Sequence, residues 1–528
     1  MLPLKLNHRL IYIAGLIITA CSLPFSVFTT SIGLIILVVN FLFEGNWNAK
    51  VNNVKKNKAL WFALLVYAPV LYSLFYSSNA AGAIKELRLW LPFLIVPLVV
   101  AMGNPLKLSE FKWVMLSFIL AVFVATAISM GYFKILSKNT AFDIRQISPF
   151  ISHIRYALMV NLAIVILIYF IFTGGVVSRR AKLFFLVAVL WFIFFLVTLQ
   201  SLTGIIMLLL LITYGIGWLI FVSKNSTTRF TITAIALAAL FLLASVFTHK
   251  IDAFYKRNYV DLLNLPKQTI NGNTYQHDTL RRVYENGNLV YINICPVELK
   301  NQWERRSNFP FQGLDKKGQL LSATLIRYLA SLGLTKDSIG ISKLDSIDIQ
   351  LVENGATSIV FRNSTVGLNK RIYQLLWEFD AYKNEGTISK SSVIQRLVYA
   401  KAAWSIIDQH PLFGVGWGDL QKNLNEYYTK NVKNLPSEHW FFPHNQYLTV
   451  WASTGLVGLI IFLVGLIAPI VLTKKFKYFL PLYFLLMIMI SMLNEDTFET
   501  HIGITFAALF GSLFIFGYPF VADTDEPK

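Results

Sequence analysis

Long apolar runs separated by short polar breaks fill most of the 528 residues. A bilayer-crossing helix needs about 20 mostly apolar residues, and about twelve segments fit that pattern. They are 10–26, 28–43, 59–76, 88–103, 112–132, 154–173, 181–199, 202–222, 229–248, 445–472, 478–493 and 501–519. The runs 10–43 and 181–222 are each split at a turn signal, Leu23-Pro24-Phe25-Ser26 in the first and Gln200-Ser201-Leu202-Thr203-Gly204 in the second. Only 249–443 breaks the rhythm for long, and a stretch of that length must hold structure of its own. The pattern predicts an all-α polytopic membrane protein of about twelve transmembrane helices with a large extracytoplasmic α+β insert. Residues 1–248 form an N-terminal transmembrane domain of about nine helices, and 444–528 a C-terminal one of about three with a short cytoplasmic tail.

Within the insert, 258–390 reads as a small α+β module. Gly287 to Ile294 reads as a strand after a turn, and Leu320 to Leu332 as a helix with Leu321, Leu325 and Leu329 on one face. Asp345 to Val352 alternates polar and apolar, as a half-buried strand does. Residues 393–409 read as an amphipathic helix lying on the membrane surface, with Leu397, Ala400, Trp404 and Ile407 as its apolar face. A tight turn follows at Gly414-Val415-Gly416-Trp417-Gly418.

Composition supports the membrane reading. The chain is 55% hydrophobic and 14% charged, against about 25% charged in soluble domains. An apolar background excludes a soluble nucleic-acid binder and a disordered chain. Two cysteines, Cys21 and Cys295, exclude a disulfide scaffold. The net charge of +19 is mostly topological. Lys50, Lys55, Lys56 and Lys58, then Lys107 and Lys112, Arg179 to Lys182, Lys224 and Arg229, and Lys474 to Lys477 fall on alternate connections. Bases collect on the cytoplasmic side, so both termini are expected in the cytoplasm and 249–443 outside it. That segment holds 24 bases against 18 acids, a small surplus for its length. Ile18-Thr19-Ala20-Cys21 has the look of a lipoprotein cleavage box, but the apolar run continues past Cys21 as one span.

The most informative stretch lies where the outer segment re-enters the membrane: Phe442-Pro443-His444-Asn445-Gln446-Tyr447-Leu448, then Gly455-Leu456-Val457-Gly458-Leu459. With Arg396, Trp404, His410-Pro411-Leu412-Phe413-Gly414-Val415-Gly416 and Glu495-Asp496-Thr497-Phe498-Glu499, it resembles the O-antigen ligase family. The motifs place the resemblance in the spans and the end of the outer segment, outside 258–390.

The resemblance implies a multi-pass glycosyltransferase of the bacterial inner membrane, with 249–443 in the periplasm. It would move a glycan from a polyprenyl-pyrophosphate donor to an acceptor hydroxyl on a lipid core, a glycan or a protein, without metal, nucleotide or other cofactor. His444 matches the family's essential histidine. Arg396 matches an arginine at the start of the helix before the glycine-rich turn. Many members carry a further arginine near the turn that here reads Gln200 to Gly204, where no base is present. Arg145 and Arg155 would then share the donor pyrophosphate with Arg396.

Elementary chemistry fits these roles. A hydroxyl attacks only after losing its proton, which a histidine can accept near neutral pH. The departing pyrophosphate gains negative charge, which arginine pairs bidentately. Read alone, His444 could instead cap the following span, Arg396 could be a solvated charge, and Arg145 and Arg155 could snorkel to head groups. Glu495, Asp496 and Glu499 could orient His444 or a sugar hydroxyl, or cap the last span, and Asn445 supports His444. No His-Glu-x-x-His, cysteine pair or phosphate-binding Gly-Lys loop is present. A polymerase of the same superfamily is the near alternative, and a lipid-linked glycan flippase the one from another class. A transporter should show paired broken helices in matching halves, and none is visible in the pattern.

Overall fold

The computed structural model describes residues 7–136, 147–172, 178–199, 201–362, 368–385, 392–432 and 435–518. The chain is mostly helical and divides into two compact units. One unit comprises 1–133, 145–222 and 395–528; the other comprises 134–144 and 223–394.

The first part of the larger unit contains α1 (His8–Ser22), α2 (Val27–Phe43), α3 (Trp47–Lys56), α4 (Lys58–Leu64) and α5 (Ala68–Ser73). It continues with α6 (Ala80–Met102), α7 (Leu108–Leu136), α8 (His153–Phe172), α9 (Arg179–Leu199) and α10 (Leu202–Val222). The turn signals mark real breaks. Ser26 caps α2 by accepting the Thr29 amide, as N-cap serines do. At the second break α9 ends at Leu199, α10 starts at Leu202, and Ser201 Oγ accepts the Gly204 amide. Gly204 faces α8 closely, since a Cβ there would lie 2.9 Å from that of Ala157. The predicted span 59–76 is two short helices, α4 and α5. Pro69 in the first turn of α5 offers no N–H to continue the α4 ladder.

The smaller unit holds α11 (Ser226–Tyr255), a two-residue hairpin of β1 (Tyr284–Glu285) and β2 (Asn288–Leu289), and α12 (Pro296–Trp303). Then follow α13 (Leu321–Ser331), α14 (Ser338–Ser342), α15 (Ser346–Glu353) and α16 (Leu368–Glu385). Trp303, Leu321, Leu325, Tyr328, Leu329 and Ile349 are among its core residues. The predicted α+β character is corrected. Almost no sheet is present among the described residues, and 287–294 contributes only the β2 pair and two isolated bridges from Ile294, to Gln276 and Lys336. The predicted strand 345–352 is a helix. Asp345 accepts the Asp348 amide while the Asp348 carboxylate accepts the Asp345 amide, a capping box that commits the next turns to α. Ile349 and Val352 then share the buried face, so the apparent alternation is incidental.

The chain then adds α17 (Ser392–Gln409), α18 (Leu420–Asn431), α19 (Gln446–Leu472), α20 (Phe479–Asn494) and α21 (His501–Ser512). Of the apolar face expected for α17, Ile407 is buried. Leu397 and Trp404 are exposed, while Ile394, Val398, Ala402, Ala403 and Ile406 are buried. Interior small residues at 402 and 403 make the buried face less obvious than the exposed Trp404, which stacks edge-on with Trp451.

Among the described residues, six helices are long and apolar enough to span a membrane: α7, α8, α9, α10, α11 and α19. The α2–α3 pair, bent by 110°, brings the number to seven if it is one span, and α1, α20 and α21 are shorter apolar helices.

Candidate active site

The site of the larger unit is built around a break in α19. Gly455 has φ +68° and ψ −176°, which interrupts the helical ladder. The backbone groups freed there bond to the glycine-rich turn: the amides of Val415 and Gly416 donate to the carbonyls of Ala452 and Ser453 at 3.0 and 2.8 Å. In return the Leu456 amide donates to the Pro411 carbonyl at 2.8 Å. Tyr72 and Tyr76 donate their hydroxyls to the carbonyls of Thr454 and Phe413. A Cβ on Gly455 would collide with the Leu412 carbonyl, so glycine is required here. The His-Pro-Leu-Phe-Gly-Val-Gly motif is therefore a backbone plug seated in α19, which holds the start of that helix in place.

That start carries His444. Asn445 caps α19 by accepting the Leu448 amide and donates its own amide to the Leu493 carbonyl, tying α19 to the end of α20. His444 itself has φ +51°, a left-handed conformation that costs a non-glycine residue energy. The conformation is held by the His444 amide donating to Asp496 Oδ2 at 2.7 Å. Thr449 donates to the other oxygen of Asp496 at 2.6 Å.

The ring of His444 faces an acid–arginine relay. Its Nδ1 lies 3.4 Å from Glu495 Oε1, and Arg396 Nη2 lies 3.3 Å from Glu495 Oε2. Arg396 also donates to Asn494 Oδ1 at 2.9 Å, and Asn494 donates to Thr203 Oγ1 at 2.7 Å. The turn at 201–204, which lacks a base, thus reaches the site through Thr203. His444 and Arg396 keep about a quarter of their side chains exposed, whereas Glu495 is 8% exposed. Tyr399 and Phe441 flank the imidazole at ring-centroid distances of 5.7 and 6.2 Å.

Arg155 joins the cluster from α8. Its Nη2 donates to the Asp496 carbonyl at 3.1 Å, and its buried Nε makes no hydrogen bond among the described residues. Glu499 accepts from Gln446 Nε2 at 3.2 Å.

The three acids titrate differently. Burial pushes Glu495 up, but the contact with His444 and the charges of Arg396 and Arg155 outweigh it and hold the carboxyl below its ordinary value. Burial raises Asp496, and its bonds from Thr449 and His444 do not offset that. Glu499 is raised well above the ordinary value by burial and by the neighbouring carboxyls of Glu86 and Asp496.

Of the residues expected from sequence, the structure brings His444, Arg396, Arg155, Asn445, Glu495 and Glu499 to one place. Arg145 lies outside the described residues. Asp496, expected from the acidic loop with Glu495 and Glu499, joins them there, and Asn494, Thr449 and Thr203 complete the cluster without having been singled out by sequence. Among the described residues no group of three His, Cys, Asp or Glu side chains is arranged to hold a metal ion.

Residues 355–463 match the protein family described as O-antigen ligase. The resemblance read from the motifs is shown over that stretch. One boundary is corrected: the match begins at 355, inside the region 258–390 that the motifs alone leave out. It includes Arg396, His444 and Asn445, and excludes Arg155, Glu495 and Glu499. A comparison with curated proteins gives no match.

Proposed function

We propose that this membrane protein, whose residues 355–463 carry the O-antigen ligase domain, transfers a glycan from a polyprenyl-pyrophosphate donor to an acceptor hydroxyl. The observation that carries the reading is His444, strained and half-enclosed, with Glu495 against Nδ1. That contact leaves Nε2 to take the acceptor proton, while Glu495 stabilises the resulting imidazolium. The acceptor oxygen bonds to the anomeric carbon. The bond from that carbon to the phosphate oxygen breaks, and its electron pair leaves with the polyprenyl pyrophosphate. Arg396 and Arg155 meet the growing charge on that group, with Arg145 as a further candidate. Arg396 pairs with Glu495 and Arg155 bonds the Asp496 backbone carbonyl, so both are positioned before donor arrives rather than loose in solvent.

We read the full chain as about twelve spans in the bacterial inner membrane. Residues 1–248 and 444–528 are then the transmembrane parts, both termini are cytoplasmic, and 249–443 is periplasmic. Support comes from the basic short connections and from the base-free run Asn494 to Thr500 beside His444. A ligase and a polymerase share this chemistry and differ in acceptor.

The test is a His444→Ala strain scored for glycan on its acceptor and for chain length by mass analysis. Transfer falls at least about 10²-fold at unchanged protein level, the usual scale for losing a positioned catalytic group. Loss of attachment with chains intact marks a ligase, and shortened chains mark a polymerase. Normal glycan at normal protein level removes His444 from catalysis.

A further inference from the structure

A second concave surface lies on α18, on the face opposite the one that supports His444. Leu420, Leu424 and Tyr428 form the buried face of this helix, and the Tyr428 hydroxyl donates to the Phe441 carbonyl at 2.8 Å. The other face lines an open cleft of about 510 Å³, within the range of about 300–1,000 Å³ usual for ligand clefts. Its chemistry is uniform in one respect: no apolar side chain lines it. Carboxamides come from Asn79, Gln421 and Asn425, and Thr429 adds a hydroxyl. Glu426 sits between Lys422 and Lys430, so the charges nearly balance.

The carboxamides and the hydroxyl both donate and accept hydrogen bonds, the carboxylate accepts them and the two lysines donate them. That set suits a ligand covered in hydroxyl groups, which are themselves donor and acceptor at once. It does not suit an acyl chain, which needs apolar walls, or a polyanion, which needs a clear excess of bases.

One edge of the cleft is tied down by hydrogen bonds. Ser78 bonds both oxygens of Asp419, through its amide and its hydroxyl, at 2.6 Å each. Asn79 Nδ2 donates to the Gly418 carbonyl at 3.1 Å, and a Cβ on Gly418 would collide with the Asn79 carbonyl. The cleft is also physically joined to the candidate base. Gln421 Nε2 donates to the Trp440 carbonyl at 3.3 Å. Trp440 and His444 are four residues apart, at most about 14 Å of extended chain.

We propose that the α18 cleft binds sugar residues of a glycan substrate some distance from the bond being made. This inference rests on the transferase reading for the identity of the glycan, but not for the binding itself. The ligand is the acceptor glycan or the chain carried by the donor, and kinetics separate the two.

The test uses the full-length protein reconstituted with donor and acceptor, and two variants on the exposed face. Asn425→Ala/Glu426→Ala removes polar contacts, and Thr429→Trp fills the cleft. Unchanged melting in detergent shows that both fold. KM for one substrate rises at least about tenfold while kcat falls much less. The substrate affected identifies the source. In parallel, glycan released by mild acid from the cell's polyprenyl-pyrophosphate pool is titrated onto each protein by ligand-observed NMR. Wild type binds it and Thr429→Trp does not. If wild type binds glycan through the cleft yet transfers none, the transferase reading falls and the cleft stands. If transfer proceeds with both KM values unchanged in both variants, and the released glycan binds Thr429→Trp as it binds wild type, the cleft proposal is overturned.

Discussion

At φ +51°, His444 occupies a left-handed conformation that is uncommon for a residue other than glycine. Asp496 holds it there through the His444 amide, and Glu495 addresses the ring. The motif made His444 and Arg396 legible, and an acidic loop on the same side made Glu495 and Glu499 reasonable. Asn494 and Thr203 were not legible, because 291 positions separate them in sequence and no spacing rule connects them. The acids also set a pH signature. Glu499 has its folded pKa raised, so its contribution to stability is full below the ordinary glutamate value and is lost as pH rises through the raised one. Glu499→Gln keeps an oxygen for Gln446 and removes the titration. The variant should melt about 2 °C or more above wild type at pH 8 and level with it near pH 4. Parallel melting curves across that range would show that Glu499 does not titrate there. Glu495 has the opposite sign: its contribution is present above the ordinary value and is lost as pH falls through the depressed one.

Elements were legible where one period dominated. The helix at 321–331 carries a clear apolar face and folds as read, with Leu321, Leu325 and Leu329 buried. The stretch 345–352 fits two periods at once, and the local capping box of Asp345 and Asp348 decides for the helix. Helix 392–409 was found, and beside the expected face of Leu397, Trp404 and Ile407 it carries a second apolar stripe of Ile394, Val398, Ala402 and Ile406 that packs into the protein. The interrupted helix α19 could not be read, since Gly455 sits in an otherwise unbroken apolar run. Its break depends on the plug from 411–416, forty residues upstream. Gly455→Ala should lower stability by about 1–3 kcal/mol or more, because strain at positive φ adds to the clash with Leu412. Thermal melting in detergent measures this, and a melting temperature equal to wild type would mean that the break relaxes without cost.

For the whole molecule, charge and apolar rhythm together point to the membrane class, and among the described residues six helices, or seven if the bent α2–α3 pair is one span, are long and apolar enough to cross a bilayer. The rest are short or broken, like α4 and α5, which windowed hydropathy merges into one segment. The proposed topology predicts that alkaline phosphatase fused after Leu314 is active, and that fusions after Arg180 or Lys475 are inactive; the reverse pattern would invert the reading of the basic connections. The plug in α19 has one more consequence, which concerns time. Helix α19 cannot satisfy its own backbone at Gly455, and His444 cannot hold its conformation, until partners from both sides in sequence are present. Tyr72, Tyr76 and 411–416 emerge from the ribosome before α19, but Asp496 and Glu495 emerge only after α20. The His444 arrangement is therefore completed late, only once the loop after α20 reaches the head of α19.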